Sequence, residues 1–474
     1  MQAIRQFTQE DQTKFATASG DFNPMHTDAL AARRTQAGAP VVHGMHSLLW
    51  LLDCIAGSKS DLALAATMKV RLARMIYVGE TVQAKITQLD EKCLRGEVSV
   101  DGSPAVTLSA TFGYARPLPT GQQFANAPFL NPTEPSPLSI EEMEGRLGKL
   151  RLPDADTVTA MFPNAAHYLG ARRVAALACS SYLVGMVMPG LYSIYTGISL
   201  DICEDDGSGQ YAFFRVTLAD ARFRHVTQDY LGGGLWAQLE TFVRLPPVRQ
   251  ASLESIAQLV QRNEFAGTTA LIVGGSRGLG EVTAKIIVAG GGKAIITYAR
   301  GKADAENLAT ELKRWGGNCE AIAYDVVGDA GTQLGALREM PSHIYYYATP
   351  PIPSNKSSAF SQRAYAAYHA FYVEGFERLL KTILNQTKSK IVAFYPSSVA
   401  VDQPPAGMIE YAKAKADGER LCTELMAKAP TLSIVMSRLP RMLTDLTSTI
   451  QPVKTADPVT ILLPIVRESV NAYG

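Results

Sequence analysis

Two groups of residues in this 474-residue sequence have the types and spacing that chemistry uses. The first is an acid and an imidazole, Asp21 and His26, in the string SGDFNPMHTD. On one short irregular loop, such a pair can hold a single water molecule. One member takes the water's proton while the other delivers a proton to a neighbouring carbon. The second group lies far downstream. Tyr411 and Lys415 sit one helical turn apart in EYAKAKADGE, where the ammonium can lower the pKa of the phenol and let it give or take a proton. Ser398, in FYPSSVA, precedes that tyrosine by thirteen residues, with Ser397 beside it as the weaker choice. Upstream of Ser398 and Tyr411, the turn VGGSRGLG carries Gly274, Gly278 and Gly280 between a strand pattern and a helix pattern. Small residues at such a turn let the backbone approach a pyrophosphate.

The longer string SGDFNPMHTDALAARRTQAGAPVVHGM resembles the signature of the MaoC-like, (R)-specific type 2 enoyl-thioester hydratases, through Gly20, Asp21, Asn23, Pro24, His26, His43 and Gly44. The resemblance implies that Asp21 and His26 are the catalytic dyad. Asn23 would support the loop and the water, and Pro24 would stiffen the turn. It also implies that the Gly44 N–H, at the start of an apolar helix, polarises the thioester carbonyl. A helix N-terminus supplies an unpaired donor and the positive end of a dipole there. His43 and His46 are expected to be packing or supporting residues, and Asp28 a cap.

The C-terminal block resembles the short-chain dehydrogenase/reductases over its full length. In that reading Gly274, Ser276, Arg277, Gly278 and Gly280 cradle a dinucleotide, Asp325 contacts the adenine, and Ser398, Tyr411 and Lys415 are the catalytic set, with Lys415 also holding the nicotinamide ribose. A carboxylate at the end of the second strand would repel the extra phosphate of NADP. Here that segment is ITYARGK, with Arg300 and Lys302 and no acid, so NADP(H) is the expected cofactor. Departures from the family pattern are present. Tyr346–Thr349 reads YYAT where NNAG is usual, followed by Pro350-Pro351; Tyr372 stands where a relay asparagine is usual; Val273 stands where Thr is commoner; and Pro440-Arg441 replaces PG.

The elements that must position these groups fall into three blocks. Residues 1–116 hold a helix pattern, the reactive loop, an apolar helix (VVHGMHSLLWLLDCIAG) and alternating strands. Residues 117–137 are Pro-rich and read as an extended linker without helix. Residues 138–245 repeat the order of apolar helix and strands with no acid before His167, and are expected to be a silent half that shapes an acyl tunnel. Residues 246–264 read as a linker helix. Residues 265–474 alternate strand and helix, which means a parallel doubly wound sheet. The fold expected is an α+β double hot-dog followed by an α/β Rossmann domain.

Composition excludes other classes. Lys+Arg number 45 and Asp+Glu 44, so no charge excess favours a nucleic acid. The six cysteines form no CxxC pair, and neither a metal site nor a disulfide framework is expected; they read as buried thiols. No signal peptide or membrane span is expected, and the cytoplasm is the default. The combined expectation is a bifunctional enzyme: an NADPH-dependent 3-oxoacyl-thioester reductase joined to a 3-hydroxyacyl dehydratase/enoyl hydratase. It would be a homo-oligomer, fed by coenzyme A or an acyl carrier protein. The alternatives are a hydratase whose reductase block is inactive or acts on another carbonyl, and a non-enzymatic thioester-binding module.

Overall fold

The computed structural model describes residues 2–59, 62–119, 121–205, 207, 209–335, 337–350, 352, 360–449 and 453–473. It divides into two compact units, one built on Met1–Pro246 and the other on Pro247–Ser448 with Val453–Gly474.

The first half of the first unit contributes β1 (Gln2–Gln6), β2 (Ala65–Leu72), β3 (Thr81–Leu89), β4 (Cys93–Val100) and β5 (Ser103–Phe112). The second half contributes β6 (Leu147–Arg151), β7 (Ser193–Ile202), β8 (Tyr211–Asp220), β9 (His225–Gly232) and β10 (Leu235–Val243). All ten form one antiparallel sheet in the order β1-β3-β4-β5-β2-β7-β10-β9-β8-β6. The strand order within β1–β5 is thus mirrored in β6–β10. The halves join where β2 pairs with β7, Met68 facing Leu200 and Val70 facing Ile198. Strand composition explains the layering: in β10, Leu235, Ala237, Leu239, Thr241 and Val243 are buried in strict alternation. The helix Gly44–Ser58 is buried from Met45 through Leu52, apolar on every side, as a helix enclosed by a sheet must be. Its counterpart, Ala171–Tyr182, is buried from Val174 onward and continues as a π-helical turn, Leu183–Val187. One hydrophobic core runs through both halves, from Leu48 and Val98 to Leu177 and Phe214.

The second unit holds six parallel strands: β11 (Thr269–Val273), β12 (Lys293–Tyr298), β13 (Asn318–Ala323), β14 (His343–Tyr346), β15 (Ile391–Ser398) and β16 (Leu432–Leu439). Their order is β13-β12-β11-β14-β15-β16. The direction of winding reverses between β11 and β14, and ligands of such sheets bind outside the carboxyl ends of the strands at that point. All five residues of β11 are buried, as in a strand covered on both faces.

Several local expectations need correction. The reactive loop is not wholly irregular, because Pro24–Thr27 forms one helical turn started by the proline and capped by Asn23. The Pro-rich stretch contains a 3-10 turn, Gly121–Phe124, in its proline-free middle. The segment read as a linker helix is helical only over Leu253–Ala257. Of the cysteines, Cys54 and Cys93 are half-buried and the other four buried. Pro351 lies outside the described residues. No helix among those described is long and apolar enough to cross a membrane.

His46, on the Gly44–Ser58 helix, is fully buried among Phe7, Phe15 and Phe162, with ring centroids at 4.8, 4.8 and 5.8 Å. Neither ring nitrogen has a hydrogen-bond partner among the described residues. Burial pulls its pKa down from 6.5 to about 3. Below pH 6.5 the unfolded chain therefore takes up a proton that the folded chain refuses, and stability falls by about 1.4 kcal/mol per pH unit until about pH 3. His46→Phe should flatten this acid limb, as read by the urea midpoint between pH 7 and pH 4.

Candidate functional site

The first site forms where the end of helix Gln9–Ser19 meets the second half of the unit. Gly20 terminates that helix with a left-handed backbone, φ 86°, and turns the chain so that Asp21 points inward. Asp21 is buried, at 2 % exposure. Its Oδ2 accepts from the Ser181 hydroxyl at 2.7 Å, and its Oδ1 from the Asn23 backbone N–H at 3.2 Å. Burial raises its pKa, opposed by His26, Ser181 and Asn23. His26 lies on the short helix Pro24–Thr27. Its Nδ1 is 2.8 Å from the carbonyl of Val41. That oxygen can only accept, so Nδ1 carries the proton and the lone pair sits on Nε2. Burial lowers the pKa of His26, Asp21 raises it, and Arg244 lowers it.

Asp21, His26 and His43 each place one polar atom within 4.8 Å of the others. The rings of His26 and His43 stack with centroids 3.9 Å apart. His43 Nε2 faces the Asp21 backbone oxygen at 3.0 Å, and its Nδ1 faces Gln12 Oε1 at 3.0 Å. Both His43 nitrogens are turned to carbonyl oxygens, so the ring is held in place from both sides. His43 thus packs as a wall against the His26 ring and the Asp21 backbone. Gly44 is the first residue of the buried helix, where a backbone N–H has no partner within the helix.

Residues from the second half complete this site, and reading the sequence alone missed them. Asn23 Nδ2 donates to the Gly185 carbonyl at 2.8 Å and to the Gly190 carbonyl at 3.3 Å. A Cβ on Gly185 would lie 2.1 Å from Asp21 Oδ1, so only glycine admits the carboxylate. Ser181 and Gly185 are four apart on the helical stretch that ends in the π-turn. The mirrored position in the first half has Asp53 and Gly57 at the same spacing, with Asp53 Oδ1 accepting from the Asn164 backbone N–H at 2.7 Å. There FPNAAH stands where DFNPMH stands in the first half: Asn164 and His167 recur in register, and Phe162 occupies the place of the acid. His167 is exposed.

The second site lies at the carboxyl end of the parallel sheet. Gly274 has φ 76°, and a Cβ on Gly280 would meet the Gly274 carbonyl at 2.4 Å, so the turn from β11 into helix Gly278–Ala289 requires glycine. Ser276 is buried. Arg277 pairs with Asp445 at 3.4 Å. Arg300 and Asp325 are exposed at the ends of β12 and just beyond β13, and Asp325 caps the Val327 N–H at 3.1 Å. Ser398 ends β15, and its hydroxyl accepts from the Ala400 N–H at 3.2 Å. Tyr411 and Lys415 lie on helix Ile409–Lys428. Burial raises the pKa of Tyr411 and a Ser398 hydrogen bond opposes it. Lys415 is buried, which pulls its pKa down to about 7. Its Nζ donates to the Pro396 carbonyl at 2.6 Å and lies 3.9 Å from the centre of the Tyr372 ring. Ser397 is committed elsewhere, bonded to Glu419 at 2.5 Å. Tyr372 is buried in a π-helical turn, Ala370–Glu374, its hydroxyl 2.5 Å from Thr349 Oγ1.

One unit thus brings an acid and an imidazole into one buried space, and the other carries a glycine turn with a Ser–Tyr–Lys set. Residues 2–109 match the family model described as MaoC like domain, and residues 268–339 match the one described as short chain dehydrogenase. No curated protein matches the chain. Among solved structures it is similar to a short chain dehydrogenase from Burkholderia cenocepacia in complex with NADP (19% identity, 43% of this chain and 91% of that one, TM-score 0.38). It is also similar to an alcohol dehydrogenase from the archaeon Thermococcus sibiricus (20%, 43% and 90%, TM-score 0.38) and to FolM alternative dihydrofolate reductase 1 of Brucella canis (14%, 44% and 91%, TM-score 0.38).

Asn23 is 1 % exposed, and its amide satisfies two buried carbonyls of the second half. Asn23→Ala removes the side-chain donor from the Gly185 carbonyl and leaves the Gly190 carbonyl with the Ser193 N–H alone, at a cost of about 1–3 kcal/mol. A melting temperature lowered by several degrees, read by calorimetry on the full chain, is the expected result.

Proposed function

We propose that the chain is a bifunctional enzyme: a hydratase/dehydratase of acyl thioesters on its first unit and an NADPH-dependent 3-oxoacyl-thioester reductase on its second. The observation that carries the first activity is the approach of Asp21, His26 and His43 polar atoms to within 4.8 Å in a buried space. The dyad needs only one proton between its two members. In hydration the basic member takes a proton from water as the oxygen bonds the β-carbon of the enoyl group. The acidic member gives its proton to the α-carbon, and the dyad ends with the proton count it began with. The Gly44 N–H would polarise the thioester carbonyl as negative charge develops on its oxygen. The second half is read as a degenerate hot-dog copy that buttresses Asp21 through Ser181.

The second unit fits NADP(H). The Gly274–Gly280 cradle would close on the pyrophosphate at the N-terminus of helix Gly278–Ala289, and Arg277 and Arg300 would suit a ribose phosphate. Bound there, the cofactor supplies the hydride. Ser398 would orient the substrate carbonyl, Tyr411 would donate its phenolic proton to the carbonyl oxygen, and Lys415 would lower the phenol's pKa by its charge. The two activities share one metabolite, since reduction of a 3-oxoacyl thioester yields the 3-hydroxyacyl thioester that a dehydratase consumes. A second reading, hydratase alone, is favoured by Tyr372, whose ring lies against Lys415 where a relay residue is usual.

Crotonyl-CoA hydration, followed by loss of enone absorbance, should fall roughly 10²–10⁴-fold in Asp21→Asn and in His26→Ala. Acetoacetyl-CoA should oxidise NADPH in the wild type and not in Tyr411→Phe; no oxidation in the wild type would leave the hydratase alone. The reductase kcat/KM should decline as the pH rises through about 7, because Lys415 loses its charge there.

A further inference from the structure

Arg244 follows β10 and is 3 % exposed. Its Nη2 donates to the Leu191 carbonyl at 2.6 Å, and its guanidinium lies 5.3 Å from the Tyr192 ring centre. The same Leu191 carbonyl accepts from Asn23 Nδ2 at 3.4 Å, so one carbonyl oxygen separates this cation from the residue beside the dyad. Among the described residues no carboxylate pairs with Arg244, and its Nε is buried with no acceptor. Burial pulls the guanidinium down only to about 10, so it is a full positive charge at neutral pH.

A buried cation left with one carbonyl and one ring face is expensive, because neither replaces the water it lost. A guanidinium that merely braces a loop is ordinarily paired with a carboxylate or left in solvent. An anion would supply the missing partner, and Asn23 lies one carbonyl away. The thioester group itself is neutral, and the pantetheine arm is uncharged and keeps the phosphates of coenzyme A well away from the reacting carbons. The charge must then be carried by the acyl chain.

We infer that Arg244 binds a carboxylate on the acyl group, so that the preferred substrates of the first unit are short dicarboxylic acyl thioesters. This rests on the hydratase reading above and narrows its substrate class. A planar guanidinium suits a carboxylate better than an ammonium would, since its fork can donate two parallel hydrogen bonds. The same charge, sitting near His26, disfavours the imidazolium and keeps the ring a base.

The test uses saturated thioesters, which bind but cannot be hydrated. Calorimetric titration of the full chain with glutaryl-CoA and with pentanoyl-CoA should show the first binding about tenfold tighter or more, as one charge-assisted contact implies. In Arg244→Met that preference should vanish, and Arg244→Gln, which keeps the polarity and loses the charge, should behave the same way. Equal affinities in the wild type, or a preference that survives in either neutral variant, would overturn the inference and leave the hydratase reading standing. Should neither variant fold, the wild-type ratio alone decides. Binding of neither thioester would strike at the hydratase reading itself and carry this one with it.

Discussion

A carboxylate can be held out of water only if other groups take over its solvation, and that constraint organises the first unit. Asp21 is buried on a loop that by itself offers one N–H. The remaining support comes from the hydroxyl of Ser181, across the unit and 160 residues away. Gly185 must lack a side chain for the acid to fit, and Asn23 must bridge to the carbonyls of Gly185 and Gly190. The pairing of β2 with β7, which makes one sheet and one core of the two halves, is what keeps these distant residues in register. The site is thus a property of the whole unit and not of the loop that bears its reactive groups.

The second unit solves a different problem with local means. Its turn needs close backbone approach, which four glycines supply within seven residues, and Ser398, Tyr411 and Lys415 lie on one strand end and one helix. Lys415 is nevertheless unusual in its surroundings, pinned to the Pro396 carbonyl and covered by the Tyr372 ring. A lysine so buried holds its charge weakly, which ties any proton transfer at Tyr411 to conditions near neutrality.

What the sequence made legible follows from range. Asp21, Asn23 and His26 lie within one loop, and Tyr411 and Lys415 within one turn, so each set sits in a short string whose family resemblance could be read directly. The doubly wound sheet was readable from alternating strand and helix patterns. Ser181, Gly185 and Arg244 were not readable, because nothing in their own neighbourhoods marks them; each matters only through a contact made across the sheet. The single turn Pro24–Thr27 escaped because four residues carry no periodicity. The repeated element order and His167 were already visible in the sequence, whereas the register of Phe162, Asn164 and His167 on Asp21, Asn23 and His26 needed the mirrored order of strands.

That mirrored order has an evolutionary consequence. When two identical subunits build such a sheet, every substitution strikes both loops at once, and an asymmetric arrangement is out of reach. Joining the copies in one polypeptide releases that coupling. One loop can keep its acid while its twin trades it for Phe162, and the opposing helices can diverge in step, a serine in one and Asp53 in the other. The tether makes divergence of one half from the other a matter of ordinary point mutation.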